Sequence, residues 1–447
     1  MTLVSERPGP GQARPYTFPR IVRLRVAGGQ VLAAHLPGRP LAVAALLLDA
    51  GASREPDGRE GTASVLLKAI EEGTAVRDAT AFALAMERLG ASLFTSVDWD
   101  SAAAGVEAPT DRLLAAVGLL AEAVRTPRLD PDDLNRVRDD EVSALRMEWA
   151  NPGPRADAAL RAALFGHQRP GRPAHGDPDS VAGLRVEDLS AFHERWLRRP
   201  GVLLVAGDLD RLDLSSLGSV AFAGTGEPTT PESGLVGAEL AGSRRIILVD
   251  RPGAVQSTLR LGHLGPHRAH PDHVPVTLAG TVLGGAFTSR LNHLIREVRG
   301  YTYGIRGEFV FSRRFGRFTV STSVQTAVTG PALADTVAEI VRTRAEGVTE
   351  DELAVARTWR AGQLSVEMQT PAAITDALAT LVTHDLPDDY HAMLRERLLS
   401  TSVADASRAA LAHLRPDDLV IVVEGDAAVV RADLASTGLG EVVDAVG

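Results

Sequence analysis

The 447-residue chain contains no cysteine, and this absence excludes several kinds of structure and chemistry at once. Without thiols there are no disulfide bonds, no zinc sites with thiolate ligands and no cysteine nucleophile. No apolar stretch approaches the roughly 20 residues that a membrane-spanning helix requires. The net charge is −10 and there is no run of basic residues, which argues against nucleic acid as a partner. Aromatic residues make up only 4% of the chain, so alanine, leucine and valine must supply most of the core.

The apolar residues that are present suffice for two sizeable cores. They make up 45% of the chain and charged residues 23%, as is typical of a soluble globular protein. The length exceeds that of one ordinary domain. Residues 1–20 are rich in proline and glycine, lack the apolar centre of a secretion signal and are predicted to form an N-terminal arm. We therefore expect a cytoplasmic protein, and the alanine- and arginine-rich composition indicates a bacterial source.

The sequence repeats itself weakly at a period of about 217 residues. A helix-like stretch that ends at Pro152 is matched by one that ends at Pro371. The apolar strand Leu203–Asp208 is matched by Val420–Asp426. Several matches in the same order at one offset indicate two copies of a single fold.

The repeat predicts two domains, residues 21–223 and 244–447, joined by a Gly/Pro/Thr-rich linker at residues 224–243. Each half has the pattern of hairpin, strand, long helix, further strands, helices and a final strand. The predicted fold class is α+β, with two homologous α/β domains. Each is a mostly antiparallel sheet with helices packed on one face.

The stretch 282–305 is the most informative part of the chain. It opens with Gly284 and Gly285, and Gly300 is the predicted C-terminal cap of the helix that follows. A strand is predicted from Ile305 to Phe311. The apolar residues at helical spacing, predicted to form the buried face, are Phe287, Leu291, Leu294, Ile295 and Val298.

Arg296 and Tyr303 lie seven residues apart, on either side of Gly300. A chain reversal at this glycine would direct both side chains into one space. A guanidinium beside a phenol hydroxyl makes a pair of donors suited to a carbonyl or a developing oxyanion. The alternative is structural: Arg296 caps helix carbonyls and Tyr303 is a half-buried strand aromatic.

The stretch SRLNHLIREVRGYTYG resembles the arginine–tyrosine motif of the pitrilysin and mitochondrial-processing-peptidase family of zinc peptidases. The matching residues are Arg296, Glu297, Gly300 and Tyr303. Ile295 and Tyr301 replace the leucines usual in that motif. The resemblance implies two related α/β domains over nearly the whole chain, which together form half of a peptidase clamshell.

Catalytic members of that family carry H-x-x-E-H on a first-domain helix, with two zinc-binding histidines and a glutamate base. The equivalent stretch here is 58–74. Ser64 and Lys68 take the places of the histidines, Leu67 that of the glutamate, and Ala144 that of the second glutamate. A hydroxyl is a poor zinc ligand, an ammonium repels a dication and leucine accepts no proton. The sequence thus predicts no metal and no cofactor in this chain.

A second group of candidate ligands lies in the segment GHLGPHRAHPDH, whose histidines are His263, His267, His270 and His273. Pro266 and Pro271 make the segment a loop. The interpretation favoured from sequence is an irregular polar loop without a metal ion. A phosphate-binding loop, a dinucleotide fingerprint and a serine-nucleophile elbow are all missing.

The resemblance implies the non-zinc subunit of a heterodimeric peptidase, inactive alone. A homologous H-x-x-E-H partner would bind zinc. Arg296 and Tyr303 would contact the scissile carbonyl and the oxyanion of a peptide substrate, and Gly284 and Gly285 would let backbone approach that peptide. Processing of a leader peptide is one task for such a pair. The alternatives are a non-catalytic structural subunit, as in the mitochondrial respiratory complex, and a stand-alone peptide-binding protein.

Overall fold

Two six-stranded sheets form the framework of the chain in a computed structural model, which describes residues 16–226 and 244–445. Most of the predicted N-terminal arm and most of the predicted linker lie outside these ranges. The strands are β1 (Ile21–Val26), β2 (Gly29–His35), β3 (Leu41–Leu48), β4 (Gly73–Thr74), β5 (Arg77–Asp78), β6 (Ser92–Val97), β7 (Ala102–Pro109), β8 (Val202–Gly207), β9 (Arg245–Asp250), β10 (Gln256–Gly265), β11 (Ile305–Phe311), β12 (Gly316–Gln325), β13 (Val420–Gly425) and β14 (Glu441–Asp444). Strands β4 and β5 pair only with each other.

The α-helices are α1 (Thr62–Ala69), α2 (Ala79–Leu89), α3 (Leu113–Arg125), α4 (Pro131–Ala150), α5 (Pro154–Phe165), α6 (Pro178–Ala182), α7 (Val186–Phe192), α8 (Leu214–Ala221), α9 (His273–Gly280), α10 (Thr329–Glu346), α11 (Glu350–Glu367), α12 (Pro371–Thr383), α13 (Tyr390–Ser400), α14 (Val403–His413) and α15 (Ala427–Ser436). Segments of π-helix span His193–Leu197, Thr281–Gly285 and Asn292–Val298. Within the two described ranges, no helix is both long and apolar enough to cross a bilayer.

The two sheets have nearly the same topology. The first has the strand order β6-β7-β3-β8-β2-β1, and the second has the order β11-β12-β10-β13-β9-β14. Over the first five positions the pairing also agrees: β8 with β2 and β13 with β9 are parallel, and the other neighbours are antiparallel. Only the sixth strand differs, because β1 precedes β2 and runs antiparallel to it, whereas β14 follows β13 and runs parallel to β9. The predicted α+β class with two similar halves is confirmed.

Equivalent loops in the two halves each contain the same type of hydrogen bond, from a glycine N–H to an aspartate carboxylate. In the first half, the Gly38 N–H donates to the carboxylate of Asp208 at 3.1 Å. In the second half, the Gly253 N–H donates to the carboxylate of Asp426 at 2.8 Å. Asp208 directly follows β8 and Asp426 directly follows β13, the equivalent strands of the two sheets, so the repeat extends to individual side chains.

Each sheet is buried on both faces, which the sequence did not predict. Helices of the same half cover one face of the first sheet, and α12 of the second half covers the other with Ile374, Leu378 and Leu381. Reciprocally, α5 of the first half packs against β9 and β13 of the second sheet. Burial on both faces explains the unbroken apolar run of β3, since a strand with one solvated face would alternate.

Candidate functional site

Helix α1, to which the sequence resemblance assigns the zinc-motif positions, begins in a tightly defined turn. Gly61 has a φ of +93°, and a Cβ there would lie 2.8 Å from the carbonyl oxygen of His175. The carboxylate of Glu55 accepts hydrogen bonds from the N–H groups of Gly61 (3.1 Å) and Ala63 (2.8 Å), and it pairs with Arg169 at 2.6 Å. Burial raises the pKa of Glu55, while Arg169 and the two N–H groups act in the opposite direction. The start of α1 is therefore fixed by a buried ion pair.

The side chains of α1 at the predicted zinc-motif positions contact other residues of the first half. Leu67 is buried in the core of the first half. The hydroxyl of Ser64 lies 3.0 Å from Nδ1 of His175. The ammonium of Lys68 pairs with the carboxylate of Glu141 on α4. These contacts fill the face of α1 that would hold the metal in a catalytic relative.

The carboxylate that faces α1 is Glu141, and sequence analysis had placed the fourth position at Ala144. Ala144 is exposed on α4, whereas Glu141, one turn earlier, is buried. Lys68 is the only lysine in the chain; the remaining 46 of the 47 basic residues are arginines. A single ammonium ion thus neutralises a buried carboxylate between α1 and α4.

The second candidate site surrounds the turn at Gly300. The helical segment Asn292–Val298 ends there, and Gly300 has a φ of +66°, which confirms the predicted cap. The N–H of Tyr301 donates to the carbonyl of Ile295 at 3.0 Å and closes the turn. Strand β11 then begins at Ile305, as predicted.

Asn292 ties the helix to the strand across this turn. Its side-chain amide donates to the carbonyl of Ile305 at 2.8 Å, and its oxygen accepts from the Ile305 N–H at 3.3 Å. The same amide also reaches the Ser289 hydroxyl at 3.2 Å. Sequence analysis missed Asn292, although a polar residue directly after the buried Leu291 was a signal for such a role.

The loop that carries Tyr303 is anchored on both sides of that residue. The Thr302 hydroxyl donates to the carbonyl of Ser323 on β12 at 2.8 Å. The Thr322 hydroxyl donates to the carbonyl of Gly304 at 2.9 Å. Tyr303 itself is 97% exposed. The backbone is fixed while the phenol ring is directed away from the fold.

The Arg296 side chain likewise makes no polar contact within the part of the chain that the structure describes. Its guanidinium lies over the exposed ring of Phe287, 4.2 Å from the ring centroid. Among residues 16–226 and 244–445 it makes no hydrogen bond and no ion pair, and Tyr303 makes no side-chain hydrogen bond. Neither structural alternative is observed, since Arg296 caps no carbonyl there and Tyr303 is not half-buried.

The predicted apolar face of this helix is only partly buried. Leu291 and Ile295 lie in the core of the second half. Phe287 and Val298 were predicted to join them but are 65% and 60% exposed. Val298 ends the π-helical segment, where more residues per turn rotate the apolar stripe away from the core, whereas Phe287 lies in the turn that precedes the helix.

Arg290 fixes the other end of the same helix. It forms a bidentate pair with Glu352, at 2.6 and 2.7 Å, and donates to the carbonyl of Gly347 at 3.0 Å. The hydrogen bonds from Arg290 lower the pKa of Glu352 to about 2. The helix that presents Arg296 is therefore clamped to α11.

The two glycines that open this stretch have different surroundings. Gly284 is buried against Gly307 of β11, where a Cβ would lie 2.5 Å from a backbone nitrogen. Packing inside the chain is sufficient reason for a glycine at this position, and the predicted approach of a peptide to Gly284 stays a prediction. Gly285 has no such close neighbour, and its role in substrate binding stays a prediction.

Two models of one peptidase family match the chain, and together they span both candidate sites. Residues 30–177, which include α1, match the model described as Insulinase (Peptidase family M16). Residues 183–358, which include Arg296 and Tyr303, match the model described as Peptidase M16 inactive domain. The chain belongs to the M16 peptidase family.

The relatives of this M16 chain include a protein named as a zinc protease, a subunit of a respiratory complex and a solved inactive domain. An uncharacterized zinc protease of Mycobacterium tuberculosis is 28% identical over 347 residues, covering 75% of this chain and 77% of the relative. The mitochondrial cytochrome b-c1 complex subunit 1 of Bos taurus is 24% identical over 261 residues, covering 57% and 54%. The crystal structure of a peptidase M16 inactive domain from Pseudomonas fluorescens superposes with a TM-score of 0.84 at 26% identity, covering 91% of this chain and 98% of the other.

We predict that the ion pair on α1 of this M16 chain is needed for stability. Lys68→Met leaves the buried carboxylate of Glu141 without a partner and is expected to lower the free energy of unfolding by roughly 2–3 kcal/mol. The double variant Lys68→Met/Glu141→Leu should recover most of the loss. Urea denaturation measures both.

Arg136→Met supplies a matched control, because Arg136 also bridges α4 to the segment after α1, through the more exposed Glu72. It should cost less than about 1 kcal/mol. Equal losses for Lys68→Met and Arg136→Met would show that the pair on α1 is an ordinary surface ion pair.

Proposed function

We propose that this chain is the non-zinc subunit of a heterodimeric metallopeptidase, and that it supplies Arg296 and Tyr303 to a site whose zinc is held by a homologous H-x-x-E-H subunit. The observation that supports the proposal most strongly is the exposed position of the Tyr303 side chain on an anchored backbone. Its backbone is anchored on both sides, yet its hydroxyl has no partner among the described residues. A donor on an anchored backbone, without an internal role, fits a ligand outside the chain.

The two side chains suit the binding of a peptide bond under attack. The zinc ion of the partner would activate the attacking water. The phenol of Tyr303 would donate a hydrogen bond to the oxygen that becomes negatively charged. The planar guanidinium of Arg296, steadied by the ring of Phe287, would hold the peptide carbonyl and a neighbouring acceptor. Donors fixed before the reaction lose no energy to reorganisation when the charge develops.

The surface around Arg296 favours a protein neighbour. Val298, at the end of the helix that carries Arg296, and Phe287, in the turn before that helix, are both exposed apolar residues. A groove beside them is lined by Val282, Leu294 and Val355. Apolar residues of this kind that flank polar functional groups mark surfaces that another protein covers. We assign this face to the partner subunit and its peptide, with leader-peptide processing in the bacterial cytoplasm as a task for the pair.

A structural role is the second candidate. The similarity to the cytochrome b-c1 complex subunit favours it, because that relative is named as a subunit of a respiratory complex. In that case the face around Arg296 would still bind a protein, but no reaction would depend on Tyr303. Catalytic measurements on the pair, and not its assembly, separate the two functions.

Assembly is tested by co-expression with an H-x-x-E-H homologue encoded next to this chain. We expect a one-to-one complex in size-exclusion chromatography. Val298→Asp should weaken it by placing a charge in the interface, whereas Val429→Asp, at an equally exposed valine on α15, should not. A homologue that never co-purifies with the wild-type chain would refute the heterodimer.

A further inference from the structure

A cluster of imidazoles and one carboxylate lies outside the sites described above. His270 and Asp272 belong to the loop after β10, and His413 ends α14. One ligand atom from each of the three lies within 4.8 Å of the others. Nε2 of His413 is 2.8 Å from Oδ2 of Asp272, and Nδ1 of His270 is 4.0 Å from the same oxygen. All three side chains are partly exposed and open to an ion from solvent.

We propose that His270, Asp272 and His413 bind a divalent transition-metal ion, with zinc as the expected occupant. Two imidazoles and a carboxylate are borderline ligands that suit zinc and its neighbours better than calcium or magnesium. Donor atoms around a tetrahedral zinc ion lie about 3.3 Å apart. The observed 2.8 and 4.0 Å lie on either side of that value, so small side-chain rotations suffice.

His267 offers a fourth ligand. Its ring lies 6.0 Å from that of His270, and its Nδ1 is buried without a hydrogen-bond partner among the described residues. A buried polar atom without a partner is uncommon and costs free energy. Rotation towards a metal ion at the cluster would give this imidazole a role. Metal binding through Nδ1 of His270 would replace the 3.1 Å hydrogen bond that this atom accepts from the Asp272 N–H.

A second cluster, formed by His35, Asp208 and Asp210, lacks these properties. It has a single imidazole, that of His35, where the first cluster has two. The Asp208 carboxylate already accepts from the Gly38 N–H. Asp210 is largely exposed. The loop after β10 is therefore the better zinc site, in contrast to the interpretation favoured from sequence, because the fold adds His413 from 141 positions beyond Asp272.

The test is calorimetric titration of zinc into the full-length chain, purified without a histidine tag and treated with chelator. We expect one zinc ion per chain. His413→Ala and Asp272→Asn should each weaken binding at least tenfold, while Lys68→Met, on α1, should not change it. His293→Ala is a matched control, because His293 is an exposed histidine paired with Glu297 at 3.1 Å.

Cobalt provides an independent readout, since its visible absorption reports nitrogen and oxygen ligands directly. Wild-type protein should show this absorption and the folded His413→Ala variant should lose it, with circular dichroism confirming the fold. A wild-type chain that takes up less than about a tenth of an equivalent of zinc would overturn the proposal. So would zinc binding that is unchanged in Asp272→Asn and His413→Ala.

Discussion

Replacing Tyr303 with phenylalanine is expected to lower the turnover number of the assembled heterodimer about a hundredfold or more. The substitution removes a single hydroxyl, which under the proposed function would donate to the oxyanion in the transition state. Because Tyr303 is 97% exposed and its loop is held by Thr302 and Thr322, folding and assembly should be unchanged. The Michaelis constant should also change little, since the interaction forms mainly in the transition state.

Tyr301→Phe is the matched control for this experiment. It makes the same chemical change two positions earlier, at a tyrosine whose ring packs against the core of the second half. Its turnover should equal that of the wild-type pair. Wild-type turnover in a fully assembled Tyr303→Phe heterodimer would show instead that the motif has only a structural role here.

Changing Arg296 to lysine is expected to have the second-largest effect. Lysine keeps the positive charge but loses the planar fork that can bind two acceptors, and it loses the stacking over Phe287. We expect a fall in kcat/KM of about tenfold to a hundredfold. Part of it should be a higher KM, because the guanidinium would contact the peptide before the reaction as well as during it.

Arg299→Lys controls for the loss of a guanidinium from the same surface. Arg299 lies one turn beyond Arg296 and forms an ion pair with Asp335 at 2.8 Å. Steady-state kinetics of both variants should show a loss only at Arg296. Equal losses at the two positions would indicate a general effect of charge and shape on the assembly surface.

Local features of the chain were predictable from sequence, because each depends on residues close together. The cap at Gly300 and the strand from Ile305 to Phe311 follow from a glycine at a helix end and an apolar run behind it. The similarity of the two halves was visible because the repeat keeps one order and one offset. It extends to the Asp208 and Asp426 hydrogen bonds at equivalent turns.

Contacts between distant segments were not predictable in the same way. Counting from Pro152 placed the fourth metal position at Ala144, but the register of α4 against α1 decides which residue meets Lys68, and that residue is Glu141. The exposed position of Val298 depends on π-helical winding, which an ideal helical period does not contain, and that of Phe287 on a turn before the helix. The covering of each sheet by a helix of the other half depends on how the halves pack.

We propose that this chain completes the active site of a zinc-bearing partner. Cleavage of an unfolded peptide by a fixed amount of the H-x-x-E-H subunit, measured as this chain is added, tests the proposal. We expect little cleavage by either subunit alone and a zinc-dependent rate that rises to a plateau at one chain per partner. A partner that cleaves equally fast with and without this chain, in a mixture shown to contain the assembled pair, would contradict it.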